Sequence, residues 1–158
     1  MRITVGKGID QYINQLTNLE MRSDGLIGQA VYEGAKIVTD AVSKNIDGIP
    51  TDDRPSAETR IGLRSLQKAA LKSSLGIAKH QVDNGYYNVK VGFDGYNNIR
   101  TDKYPSGQPN AMIARTIEAG NSFTRKHPFV GPAVRSSRAA AEKAMADVIN
   151  KKTMEIMK

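Results

Sequence analysis

The chain has 158 residues and no cysteine, which removes disulfides, thiolate metal ligands and cysteine nucleophiles and suits a single domain with a modest core. Apolar residues make up 39% and aromatics 6%, a thin supply that favours burying surface against other subunits. The net charge of +7 favours acidic partners such as nucleic acid or an acidic protein face, although no block of five or more basic residues concentrates it.

The opening "MRITVGKGIDQY" contains no apolar signal core, and no run approaches the ~20 residues needed to cross a bilayer. The expectation is a soluble chain, made in the cytoplasm, with no membrane partner. Ile3 and Val5 alternate with polar residues and predict a short edge strand over residues 2–5. Ile9, Tyr12, Ile13, Leu16 and Leu19 then fall on one stripe of an amphipathic helix. Ser23 or Asp24 can cap a second helix, whose inner face would carry Ile27, Ala30, Val31, Gly34, Ile37, Val38, Ala41 and Val42. Gly34 and the alanines leave room for a close neighbour.

"DGIPTDDRPSAE", residues 47–58, is a loop broken by Gly48, Pro50 and Pro55. Asp52-Asp53 lacks a second acidic cluster or a histidine, so a solvated turn is a better reading than half of a metal site. "ETRIGLRSLQKAALKSS" predicts a helix on which Arg60, Arg64, Lys68 and Lys72 stack along one face. Like charges at that spacing repel by a few tenths of a kcal/mol per pair. The stripe is either a solvated face or an edge turned to DNA or an acidic partner.

"GIAKHQVDNGYYNVKVGF" carries the strongest local signal. Asn84-Gly85 suits a two-residue hairpin turn in which both central residues need positive φ. Tyr87, Val89, Val91 and Phe93 alternate beyond it, predicting an antiparallel pair over residues 76–82 and 86–93 with one buried face. Residues 94–110 are a long turn-rich loop, and a structureless loop of this length is usually functional or ordered by a partner. Residues 111–119 fit a short helix or a strand. Pro132 opens a final helix, with Val134, Ala141, Met145, Val148, Ile149 and Ile156 inside and Arg138/Glu142 and Asp147/Lys151 paired outside.

Catalytic constellations are missing from the sequence. His80 and His127 have no acidic or serine neighbour at a recognised spacing, and Gly25-Leu26-Ile27-Gly28 lacks the strand and third glycine of a phosphate loop. Glu118, beside the Gly120 turn, reads as an acceptor for turn amides rather than a lone general acid. No cofactor is implied. Tyr86, Tyr87, Tyr96 and Tyr104 lie among Lys79, Lys90, Arg100 and Lys103, a diffuse version of a nucleic-acid footprint.

Four segments in order, "LKSSLGIAK" (71–79), "YYNVKVGFDGYN" (86–97), "PSGQPNAMIARTIEAGNSF" (105–123) and "KHPFVGPAV" (126–134), resemble the gene-product-ten-like family of tailed-phage neck and tail-completion proteins, in the form found with Gram-positive hosts. The family's signature is a segment ending in an acidic residue and a glycine turn, then Pro-Phe, a second Pro and a long C-terminal helix. Here these are Glu118, Gly120, Pro128-Phe129 and Pro132. The chain departs from the pattern at Asn121, where a Thr is common, and in an apparent insertion over residues 54–70. Its first 45 residues match only in pattern.

The resemblance implies one α+β domain over residues 1–158, with a small, mostly antiparallel sheet bearing the hairpin and packed against long N-terminal and C-terminal helices. It also implies a non-enzymatic virion subunit. About six copies would form a ring at the head–tail junction, beside connector and tail-tube or terminator proteins, after assembly in the host cytoplasm. Tyr96, Arg100, Lys103, Tyr104, Phe123, Arg125 and Lys126 are then the expected inter-subunit contacts, and Glu118, Gly120, Phe129 and Pro132 a structural joint. The alternative is a DNA-binding protein using Arg60, Arg64, Lys68 and Lys72, and a neck subunit could itself touch passing DNA.

Overall fold

The computed structural model describes residues 7–55 and 59–158, so the strand expected over residues 2–5 lies outside the described residues. Helix α1 (Lys7–Asp47) is followed by α2 (Ser65–Ser74), the short strands β1 (Leu75–Ile77), β2 (Gln81–Asp83), β3 (Tyr86–Asn88) and β4 (Val91–Phe93), and then α3 (Asn110–Ala119) and α4 (Val130–Met157). The architecture is α+β and is dominated by the two long terminal helices.

The two helices expected in the N-terminal third are one. Ser23 does not cap a new helix; its hydroxyl donates to the Glu20 carbonyl within the same helix. Asp24 instead accepts the Tyr87 hydroxyl from β3. With no proline before Pro50, nothing interrupts the backbone ladder.

α1 and α4 run antiparallel, tied at one end by Asn45 Nδ2 donating to the Phe129 carbonyl at 3.0 Å and at the other by Gln15 Nε2 donating to the Met157 carbonyl at 2.6 Å. Between these ties the contact is made of small residues: Ala30 and Gly34 on α1, and Ala133, Ser137 and Ala141 on α4, are buried. A Cβ on Gly34 would sit 2.8 Å from Met145 Cγ, so α4 is the close neighbour that Gly34 admits. Val134 and Ile149, expected inside, are 44% and 39% exposed. The buried stripe of α4 is Ala133, Ser137 and Ala141, of which Ala141 was expected inside. Asp147 pairs with Lys143 rather than Lys151, whereas Arg138 and Glu142 pair as expected.

The hairpin is present but interrupted. β1 pairs with β4 in the register Leu75↔Phe93 and Ile77↔Val91, and β2 with β3 in the register Gln81↔Asn88 and Asp83↔Tyr86. Residues 78–80 on one strand face only 89–90 on the other, so one extra residue bulges the first strand and splits the ladder. At the tip, φ is 51° at Asn84 and 81° at Gly85, as a two-residue turn of this type requires. Tyr87, Val89, Val91 and Phe93 are half-buried and Lys90 and Gly92 are exposed, so the alternation holds from Val89 to Phe93 and is broken at half-buried Asn88.

The core sits where the C-terminal end of α1 meets α2, α3 and the start of α4: Val42, Ile46, Ile49, Leu63, Leu71, Ile113, Ile117 and Phe129 are all buried. Residues 111–119 are helical, placing Ile113, Ala114 and Ile117 on the core face of α3. Phe129 is its centre, 1% exposed and tilted against Phe93 at 5.9 Å. Leu63 belongs to this core, so the described part of the expected insertion that carries it, residues 59–70, is built into the body rather than appended to it.

Candidate functional site

A carboxylate organises the joint before α4. Glu118 Oε2 accepts the N–H groups of Phe129 at 2.6 Å and Val130 at 2.9 Å, while Oε1 accepts that of Gly131 at 3.0 Å. These are donors that a helix N-terminus leaves without intrahelical partners. Burial pushes the Glu118 pKa up, but the three N–H bonds and nearby Lys126 outweigh it, and the net shift is downward. Gly120 ends α3 at φ 75°, where a Cβ would lie 2.9 Å from Lys126 Cβ. Pro132 occupies the third position of α4, where no backbone donor is needed.

The segment between Gly120 and Phe129 is stitched to the strip around Arg60. Arg60 N donates to the Phe123 carbonyl and Arg125 N to the Arg60 carbonyl, both at 2.8 Å. His127 is not part of an open basic tip: its backbone N–H donates to the Ile117 carbonyl and its ring Nε2 to the Ile61 carbonyl. Arg125 and Lys126 are exposed, and Phe123 is 72% exposed.

The four-residue basic stripe does not exist as a helix face. α2 begins only at Ser65, so Arg64 caps it and Arg60 lies outside it, bridged to Thr124. Asp53 fixes that start by accepting the Ser65 N–H at 2.8 Å and the Ser65 hydroxyl, which lowers its pKa, and Gln67 Oε1 accepts the Arg64 N–H. Arg60 donates to the carbonyls of Asp52 and Arg54. Lys68 Nζ donates to the carbonyls of Asp47 and Ile49 at 2.9 and 2.8 Å, satisfying the end of α1, and Lys72 pairs with the Asp47 carboxylate at 2.7 Å. Mutual repulsion is thereby replaced by separate partners.

Asp52 is likewise not a solvated turn residue. It is 4% exposed, accepts Arg54 side-chain donors at 2.7 and 2.6 Å, and accepts the Ile61 N–H at 3.0 Å. The Arg54 hydrogen bonds, with help from Ile61, hold its carboxyl well below the usual range. Among the described residues no group of three or more His, Cys, Asp or Glu converges as metal ligands would.

Loop 94–110 orders itself. Asn97 is buried; its N–H donates to the Gln108 carbonyl at 2.9 Å, and its Oδ1 accepts the N–H groups of Ile99 and Gln108. Asn110, also buried, closes the neck through Gly95 and Asp94. Gly107 at φ 104° passes so close to the Asn97 carbonyl oxygen that a Cβ would stand 1.9 Å from it. Nothing in the sequence pattern marked Asn97 or Asn110, because an isolated polar residue in a loop carries no periodicity. Arg100 and Lys103 are exposed at the loop's outer end, with the Lys103 ammonium 5.6 Å from the Tyr104 ring centre.

The 60–64 strip, this loop, α3 and the 121–124 turn together enclose a cavity of about 350 Å³. It gathers Arg60 and Arg64 from the basic set and Phe123 from the contact set, over a floor that includes Leu63, Met112 and Ile113. Tyr96, 66% exposed, lies on another face beside Leu66 and Ala69. Comparison of the chain with family models, curated proteins and solved structures finds no match. The likeness to phage neck proteins therefore rests on the four sequence segments alone.

A second exposed feature lies far from the cavity. By rise per residue α1 extends about 12 Å past the Gln15–Met157 tie. On this end Ile9, Tyr12, Ile13 and Leu16 are 55%, 53%, 51% and 42% exposed, although the pattern predicted a buried stripe. The sequence correctly marks an apolar face, but among the described residues that face is left about half exposed. Among the described residues no helix is long and apolar enough to cross a membrane.

Proposed function

We propose that the chain is a non-catalytic structural subunit that assembles into a ring of about six copies at the head–tail junction of a tailed phage. The observation that carries the self-assembly reading is the uncovered stripe on the free end of α1. A helix end gains stability chiefly by packing an amphipathic face, and among the described residues this one is left about half exposed. Residues 7–22 carry two basic and two acidic side chains, so this stretch of α1 is balanced in a chain of net +7 and can meet a second copy with little repulsion. Burying the exposed half of each of the four side chains contributes roughly 1 kcal/mol apiece. The phage assignment draws on the ordered motifs around Glu118, Gly120, Phe129 and Pro132.

Native mass spectrometry and negative-stain imaging of the purified chain are expected to give one closed oligomer. Ile9→Gln, Ile13→Gln and Leu16→Gln combined should yield folded monomer. A wild-type chain that stays monomeric at its highest soluble concentration would defeat the ring. In a lysogen that encodes the chain, its removal is expected to leave heads and tails unjoined, and normally tailed particles would defeat the head–tail role. The DNA-binding reading is not carried forward, since Arg60, Lys68 and Lys72 are engaged within the fold.

A further inference from the structure

We infer that the cavity beneath Phe123 is a docking site for an acidic segment of a different protein, which inserts an apolar side chain between Met112 and Leu63 and sets a carboxylate on Arg64. A volume of about 350 Å³ lies at the low end of the range in which ligand pockets fall, about 300–1,000 Å³, and accommodates one or two side chains. The floor is aliphatic, through Leu63, Met112 and Ile113, and the rim carries the exposed ring of Phe123. Its described lining includes two arginines and no carboxylate.

The two arginines differ in availability. Arg60 is committed to the Asp52 and Arg54 carbonyls. Arg64 makes no side-chain hydrogen bond or ion pair among the described residues. The nearby Asp53 carboxylate feels its charge, but Asp53 is already engaged by Ser65. A guanidinium at the edge of an apolar hollow is suited to a carboxylate that arrives with a hydrophobic neighbour. Gln67 and Gln108 add amide groups to the same wall.

The charge balance selects the occupant. The described lining holds Arg60 and Arg64 and no carboxylate, so an acidic segment is the complementary occupant. Nucleic acid fits less well, because single strands are held by exposed aromatic platforms along a basic groove, and this floor is concave and aliphatic. The inference goes beyond ring formation and does not depend on it, since the α1 stripe and the cavity are separate surfaces.

The test uses the full-length chain with methyl-labelled methionine and isoleucine, titrated with N-acetyl-Glu-Phe-Glu-amide and, as a control, N-acetyl-Lys-Phe-Lys-amide. The acidic peptide is expected to shift the Met112 and Ile113 methyl resonances saturably while the basic one does not. Arg64→Gln should weaken binding by about ten-fold or more, the loss expected for one charge-assisted hydrogen bond. Arg64→Gln alters a side chain outside the core, so unchanged circular dichroism should confirm folding. Equal binding of both peptides, no shift with either, or an unaffected Arg64→Gln would overturn the proposal. Two further results would also overturn it: the same methyls responding to duplex DNA in place of peptide, or shifting with the chain's own concentration alone. Native mass spectrometry on the same samples reads ring formation separately, so failure of one does not imply failure of the other.

Discussion

Replacing Glu118 by glutamine removes the charge that holds α4 to α3 while keeping the shape of the side chain. Both carboxylate oxygens are in use, Oε2 on Phe129 and Val130 and Oε1 on Gly131. In glutamine one of them becomes an NH₂ that cannot accept, so at least one first-turn donor loses its partner. An unsatisfied group costs about 1–3 kcal/mol, and loss of the negative charge at the positive end of the helix adds about 0.3–1 kcal/mol. The expected destabilisation is about 2–3 kcal/mol, or a Tm lower by about 5–10 °C for a chain of this size. The pH dependence gives a second reading. Because the folded-state pKa lies below the unfolded one, the carboxylate's contribution is complete above the unfolded value near ~4.3 and is lost as pH falls through the folded value. Urea denaturation followed by circular dichroism, at fixed protein concentration, should therefore show the full gap between wild type and variant near neutrality. Once the pH has fallen through the folded value, the protonated wild type resembles glutamine and the gap should close. A gap under about 0.5 kcal/mol near neutrality, or one of unchanged size in acid, would refute the capping account.

Asp52→Asn should lower the Tm by several degrees near neutrality, because it weakens the hydrogen bonds that tie Asp52 to Arg54 and to Ile61. The depressed Asp52 pKa gives the same sign as Glu118: its contribution is present above the usual carboxylate range and lost on acidification, so thermal scans of wild type and variant should converge at low pH. Gly62→Ala should be among the most damaging small changes, at about 3 kcal/mol, the upper end for overpacking. Its Cβ would stand 1.8 Å from the Pro50 carbonyl oxygen, and backbone cannot move aside as a side-chain tip can. A thermal scan that finds it within 1 °C of wild type would show that the strip relaxes freely.

Periodicity made the helices legible, and turn chemistry made the hairpin legible. The apolar spacing on α1 and α4, the Asn84-Gly85 turn and the alternation from Tyr87 to Phe93 are all local signals, and each corresponds to a feature of the fold. What local spacing could not supply was where one element stops covering another. The stripe from Ile9 to Leu16 and the core stripe from Val38 to Ile46 look alike in sequence. Tertiary packing separates them: the second meets Leu63, Leu71, Ile113, Ile117 and Phe129, whereas the first is left about half exposed among the described residues. The bulge that splits the hairpin was equally hidden, because an extra residue over 78–80 is visible only against its partner strand.

The basic residues show why a helix face is less legible in sequence than a helix. A repeat of every fourth residue defines a face only if the helix spans all four positions, and here a tertiary contact set the start. Asp53 binding Ser65 begins α2 at that residue, which leaves Arg64 at the cap and frees Arg60 to run alongside Phe123 and Thr124. Lys68 and Lys72 then turn toward the carbonyl end of α1, where a lysine completes a helix terminus. A net charge counted from sequence therefore overstates the positive surface, since part of it neutralises the fold's own helix end and its buried Asp52. Of the four, Arg64 alone lacks a side-chain partner among the described residues, and it stands at the mouth of the cavity, so a stripe first read as a broad electrostatic face narrows to one directed cation beside an apolar hollow.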